Sequence, residues 1–141
     1  MTKREAEARR WWRQALRDLE SAEINARQDR HEVACFLCQQ SAEKALKAFL
    51  YSQGESPVLG HSLLELSQRA AGYAAPFQDV REQAKTLDAH YIQARYPNGL
   101  AGDIVPADFF DKADSARALS DSRLIHDVVR SHLPPAVTTE H

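Results

Sequence analysis

The chain has little of what marks several large classes of protein. It has two cysteines, Cys35 and Cys38, in 141 residues. Three positions apart on one helix, they point along one face and are poorly placed to bond to each other. No disulfide framework follows, and a reducing compartment is the simpler expectation. No stretch approaches the ~18 apolar residues that a membrane span needs. The first residues are arginine-rich rather than apolar, which predicts no signal peptide and a cytoplasmic location. The five glycines form no phosphate-cradling loop. No nucleophile elbow or paired-carboxylate signature appears. An excess of one charge is missing too. The formal net charge is −2, which excludes a whole-surface basic field for gripping nucleic acid.

What is present is a globular balance, 43% apolar and 27% charged, in a length that suits one domain. The expected domain is residues 1–133, with 134–141 as a frayed, disordered tail after Pro134 and Pro135. The charge is unevenly placed. Residues 1–17 hold six lysines and arginines against two glutamates, a local excess of +4.

Five helical segments can be read, and no period-two strand pattern. The first spans about residues 2–28, opened by a Thr2/Glu5 capping box. Trp11, Trp12, Ala15, Leu16, Leu19, Ala22 and Ala26 share one arc, and Arg9, Arg10, Arg13 and Arg17 fall on another. The second spans about 32–53, with the capping spacing repeated at Asp29 and Glu32 and Gly54 past its end. Its apolar residues cover much of its circumference, which predicts a central helix. The third starts at Ser62 and stops near Gly72. The fourth runs as one rod from Pro76 to about Tyr96, with a stripe of Phe77, Val80, Ala84, Leu87 and Tyr91. The fifth runs from Pro106 to about Ser131, with Phe109, Phe110, Ala113, Leu119, Leu124, Ile125, Val128 and Val129 as core candidates. Short loops between helices imply an all-α, up-and-down antiparallel bundle of four to five helices.

Two segments carry the candidate chemistry. In residues 36–50, Gln40, Glu43, Lys44 and Lys47 interrupt an apolar helix at spacings of three and four. Glu43 and Lys47 form a favourable i,i+4 pair. The strip is either a solvated stripe or the polar lining of a groove that offers Lys44 or Lys47 to a phosphate. In residues 90–98, Arg95 lies one turn beyond Tyr91. Its stem should pack at the bundle's edge with the guanidinium facing a partner, or it complements the helix dipole. His61 precedes the Ser62 cap and can close the loop there. His31, Cys35 and Cys38 share a face, but three ligands do not complete a tetrahedron, so no metal is expected. The arginine arc of the first helix reads as a solvated face or as a set of phosphate contacts.

The run from Gln40 through Ala42-Glu43-Lys44-Ala45-Leu46-Lys47-Ala48-Phe49-Leu50, then His61-Ser62-Leu63-Leu64-Glu65-Leu66, then Tyr91-Ile92-Gln93-Ala94-Arg95-Tyr96-Pro97 resembles the HEPN domain family (higher eukaryotes and prokaryotes nucleotide-binding). The likeness covers roughly residues 8–132. It implies a helical bundle that pairs as a homodimer. It also implies a minimal nucleotidyltransferase encoded beside it, in a prokaryotic toxin–antitoxin or defence module. Many members are metal-independent RNases with an Arg-x4–6-His motif facing its copy across the dimer. Arginine stabilises the scissile phosphate and histidine activates the 2′-OH. Here Arg95 matches the motif arginine, but positions 100–102 are Leu, Ala and Gly. No arginine in the chain has a histidine five to seven residues after it.

The expectation is therefore a nucleotide- or RNA-associated partner protein, leaning away from catalysis. Gln40, Glu43, Lys44, Lys47, Tyr91 and Arg95 would line its groove, with no cofactor, metal or membrane. The alternatives are a metal-independent RNase pairing Arg95 with His61 or His90, and a helical dimerisation module without a ligand.

Overall fold

Local start signals account for most of the helices. In the computed structural model, which describes residues 1–139, every regular element among those residues is helical. Helix α1 (Lys3–Arg27) opens on the expected box: the Glu5 N–H donates to Thr2 Oγ1 at 3.1 Å and the Thr2 N–H to Glu5 Oε1 at 2.9 Å. Helix α2 (His31–Ser52) follows after a three-residue turn. The Asp29/Glu32 cap does not form. Arg30 is the N-cap without a side-chain bond, and Asp29 sits at φ 59°. So tight a reversal needs one left-handed residue, which Asp tolerates better than most. Gly54, at φ +95°, ends α2 as read from the sequence.

Helix α2 is the central rod. Ala34, Cys38, Ala42, Ala45, Leu46 and Leu50 are fully buried on its several sides. Small polar side chains stitch it to its neighbours: Ser41 Oγ donates to the Ala15 carbonyl of α1 at 2.7 Å. The remaining elements are α3 (Leu63–Ala71), a 3₁₀ segment (Ala75–Val80), α4 (Arg81–Asp88), α5 (His90–Gln93), α6 (Pro106–Phe109), α7 (Lys112–Arg130) and α8 (Pro135–Thr138). Contacts give the directions. Ser41 meets Ala15 while Lys47 meets Trp11, so α1 and α2 are antiparallel. Thr86 meets Arg117 while Phe77 meets His132, so α4 and α7 are antiparallel. The loop of residues 53–62 travels back along α2, and α3 consequently runs beside α2 in the same direction. His61 lies by Glu43 at its start and Tyr73 by Phe49 at its end.

The rod expected over residues 76–96 is segmented. Phe77 and Val80 are both 1% exposed, and their spacing of three suits a 3₁₀ turn, where such positions eclipse. A one-residue interruption at Ala89, itself in helical conformation, separates α4 from α5. The fifth helix is also split. Phe110 is extended, and Asp111 opens α7 through a capping box with Asp114 that the sequence reading overlooked. Phe109 and Leu124, read as core, are 48% and 41% exposed. In α7 the inward positions include Ala118, Leu119, Ser122, Ile125, His126 and Val129. After Pro134, where a frayed tail is expected, α8 packs its Val137 (1% exposed) onto α1. Residues 140 and 141 of that tail lie outside the described residues.

Candidate functional site

The buried pair Glu43–Lys47 is the base of the site. Lys47 Nζ lies 3.3 Å from Glu43 Oε2, with side chains only 6% and 5% exposed. The strip is thus not a solvated stripe at this point. Two charges this deep are tolerable only because each meets further partners. The Lys47 ammonium rests over the Trp11 indole, 5.4 Å from its centre. The other Glu43 oxygen, Oε1, meets His61 Nδ1 at 3.1 Å.

A carboxylate can only accept, so His61 Nδ1 carries the proton in this contact. In the neutral ring, Nε2 then holds the lone pair. The His61 side chain is 59% exposed, so the ring is buttressed from behind and open in front. Two residues outside the expected set hold it in place. The buried Gln39 side-chain amide donates to the His61 carbonyl at 2.9 Å. The Asp88 carboxylate, at the end of α4, accepts from the Leu63 and Leu64 N–H groups at 2.7 and 3.1 Å and from Ser62 Oγ at 3.1 Å. Asp88 thereby caps α3 together with Ser62 and ties the His61 loop to α4.

His61 stacks on the Tyr91 ring, with centres 5.0 Å apart and planes 20° from parallel. Arg95 meets the same ring. Its guanidinium carbon is 4.7 Å from the Tyr91 centre, 4.3 Å from Phe36 and 5.0 Å from Tyr96. Its Nε donates to the Tyr91 carbonyl at 2.9 Å. Three aromatic contacts hold the guanidinium by its faces, and its Nη edge has no acidic partner among the described residues. Glu43, Lys47, His61, Tyr91 and Arg95 therefore form one cluster. It presents a tautomer-fixed imidazole and an arginine fork, a pair suited to an anion with a hydroxyl beside it.

The other expected residues lie elsewhere. Lys44 turns toward α1, where it pairs with Asp18. Gln40 donates to Gln39 Oε1 at 2.8 Å, in a supporting position. The His90 ring packs on Phe110, and burial lowers its pKa from the ordinary histidine value. His31 Nδ1 contacts Ser115 Oγ at 2.8 Å. Burial, aided by Asp114, pushes the Cys35 thiol up to about 12. Among the described residues no group of three metal-ligating side chains is assembled.

A helical bundle that gathers one arginine and one histidine on a shared tyrosine ring beside a central helix defines a class of α-helical domain with a polar, anion-suited site. The chain belongs to the HEPN family: residues 8–132 match the family model of the HEPN domain. It is similar to TT1696 from Thermus thermophilus, with 32% identity, a TM-score of 0.76, and coverage of 89% of this chain and 98% of that one. It is also similar to ST0689, an archaeal HEPN homologue, with 31% identity, a TM-score of 0.73, and coverage of 95% and 100%. Human sacsin is 28% identical over 116 residues, which are 80% of this chain. The chain spans about 2% of sacsin's length.

Proposed function

We propose that this HEPN protein binds the phosphate of a nucleotide or an RNA end at the Arg95–Tyr91–His61 cluster, as the partner of a minimal nucleotidyltransferase. The observation that carries the reading is the pairing of an arginine edge without an acidic partner among the described residues with an imidazole that is 59% exposed, both seated on Tyr91. The nucleotidyltransferase and the toxin–antitoxin or defence setting rest on the family resemblance. A homodimer is part of the proposal. Val33, Tyr96 and Val105 expose 39–48% of their surface beside Arg95, an apolar collar that a second copy would cover.

Titration of ATP and GTP by calorimetry tests the site. A lost bidentate contact to phosphate costs about 1.5–3 kcal/mol, so Arg95→Ala should weaken binding by about 10- to 100-fold at unchanged melting temperature. Loss of stability with unchanged affinity would make Arg95 structural. The second reading, metal-independent RNA cleavage, is favoured by the tautomer that Glu43 imposes on His61. Cutting in EDTA that is lost in both His61→Ala and Arg95→Ala would establish it.

A further inference from the structure

The local positive charge of the N-terminal segment acquires a shape in the fold. Arg9, Arg10, Arg13 and Arg17 line an open groove of about 940 Å³ along α1. Trp11 and Leu16 supply partly exposed apolar surface over the buried Trp12 and Val137, and Thr138 and Thr139 of the α8 end form the opposite rim. Among the described residues, two acidic side chains, Glu7 and Glu20, line it. Glu7 pairs with Arg10 at 2.9 Å, while Glu20 comes only within 4.0 Å of Arg17, both side chains being largely exposed to solvent. Arg9 and Arg13 have no acidic partner among the described residues. Lys44 also borders the groove, but Asp18 already compensates its charge.

The spacing matters as much as the charge. Arg9, Arg13 and Arg17 recur every four residues, which is a rise of about 6 Å per step along one face of the helix. A flexible polyanion with one charge per unit can meet such a row in register. All four cations are arginine, whose planar fork grips a phosphate through two bonds.

We infer that the groove between α1 and α8 is a track for the sugar–phosphate backbone of single-stranded nucleic acid, held by Arg9, Arg13 and Arg17. It stands apart from the Arg95 cluster and does not depend on the reading given to that cluster. The contact is electrostatic and sequence-tolerant. It explains how a chain with a net charge of −2 carries a local nucleic-acid surface without a basic field overall.

Fluorescence anisotropy of the full chain with labelled 12-mer oligo-U and oligo-dT, read from 50 to 200 mM salt, tests this. The triple variant Arg9→Gln, Arg13→Gln, Arg17→Gln should lower affinity at least about tenfold at 50 mM salt. It should flatten the slope of log K against log salt by about 2, the loss expected for three single-strand phosphate contacts. The exposed pair Arg27→Gln, Arg81→Gln should leave both quantities unchanged. Should the triple variant fail to fold, the single reversal Arg13→Glu serves, with the same direction expected. Unchanged affinity and slope in the arginine variants would overturn the proposal, as would an equal loss in the Arg27/Arg81 control. Displacement of the oligonucleotide by a polyglutamate peptide at equal charge concentration would overturn it in favour of an acidic protein partner.

Discussion

Lys47→Met isolates what the buried ion pair contributes. Methionine nearly conserves the side-chain length and packs against Trp11, so the cavity left is small. What changes is charge. Glu43, 5% exposed, loses the ammonium 3.3 Å away and keeps only the His61 contact at 3.1 Å. Removing one partner of a buried pair costs about 3–5 kcal/mol, because an uncompensated charge stays behind. The surviving bond to His61 places the expectation near the lower bound, about 3 kcal/mol. A domain of this size loses roughly 3–4 °C of melting temperature per kcal/mol, so the melt should fall by about 10 °C. Urea unfolding followed by circular dichroism at 222 nm is the assay, since the indole signal of Trp11 would itself change. The double variant Glu43→Gln, Lys47→Met removes both charges. It should recover most of the loss, with a coupling of at least about 2 kcal/mol. A loss under about 1 kcal/mol in Lys47→Met, with simple additivity in the double variant, would refute the account of the pair as a mutually dependent buried unit.

Three further outcomes are expected. His126 is buried against Trp12 and Ser41, and burial, with Arg130 adding to it, lowers its pKa to about 4. The unfolded chain therefore binds the extra proton first. This stability is complete above about pH 6.5 and is lost, by roughly 3 kcal/mol, as pH falls toward 4. Urea melts of His126→Phe against the parent should show a shallower acid decline, and equal slopes would remove His126 as the cause. Asp88→Ala deletes the shared cap of α3 and should cost about 1–2 kcal/mol. Hydrogen exchange should also accelerate in residues 60–66, and unchanged protection there would detach the His61 loop from Asp88. Cys35 and Cys38 are fully buried with raised thiol pKa values. A thiol-disulfide reagent at pH 8 should label neither until the protein unfolds, and labelling in seconds under native conditions would contradict the packing.

The bundle was legible because its signals are local. Thr2 with Glu5 opens α1, the apolar girth of α2 marks the central helix, and Ser62 opens α3. Misreadings fall where two local signals compete. Pro106 reads as the start of a long helix, but the Asp111/Asp114 box lies five residues on and restarts it. Phe109 and Leu124 then lost their inward register. The rod over residues 76–96 looked continuous because its apolar stripe ignores the tighter turn at Phe77 and Val80 and the break at Ala89.

The site was legible in its residue types and not in its depth. Glu43 and Lys47 at i,i+4 read identically whether solvated or buried. What decides between the two is the loop of residues 53–62, which folds back along α2 and lays His61 over Glu43. That return depends on Asp88 and Gln39, which act across 25 and 22 residues of sequence. No helical period connects them to His61. Rotation about the helix axis explains why Lys44, adjacent to Glu43, lies apart from the cluster. One residue is 100° of rotation, which turns Lys44 to α1 and Asp18 while Glu43 faces the loop. Lys44 and Glu43 thus divide α2 between the groove of arginines and the cluster on Tyr91. A substitution at either should perturb its own side and leave the other at wild-type affinity.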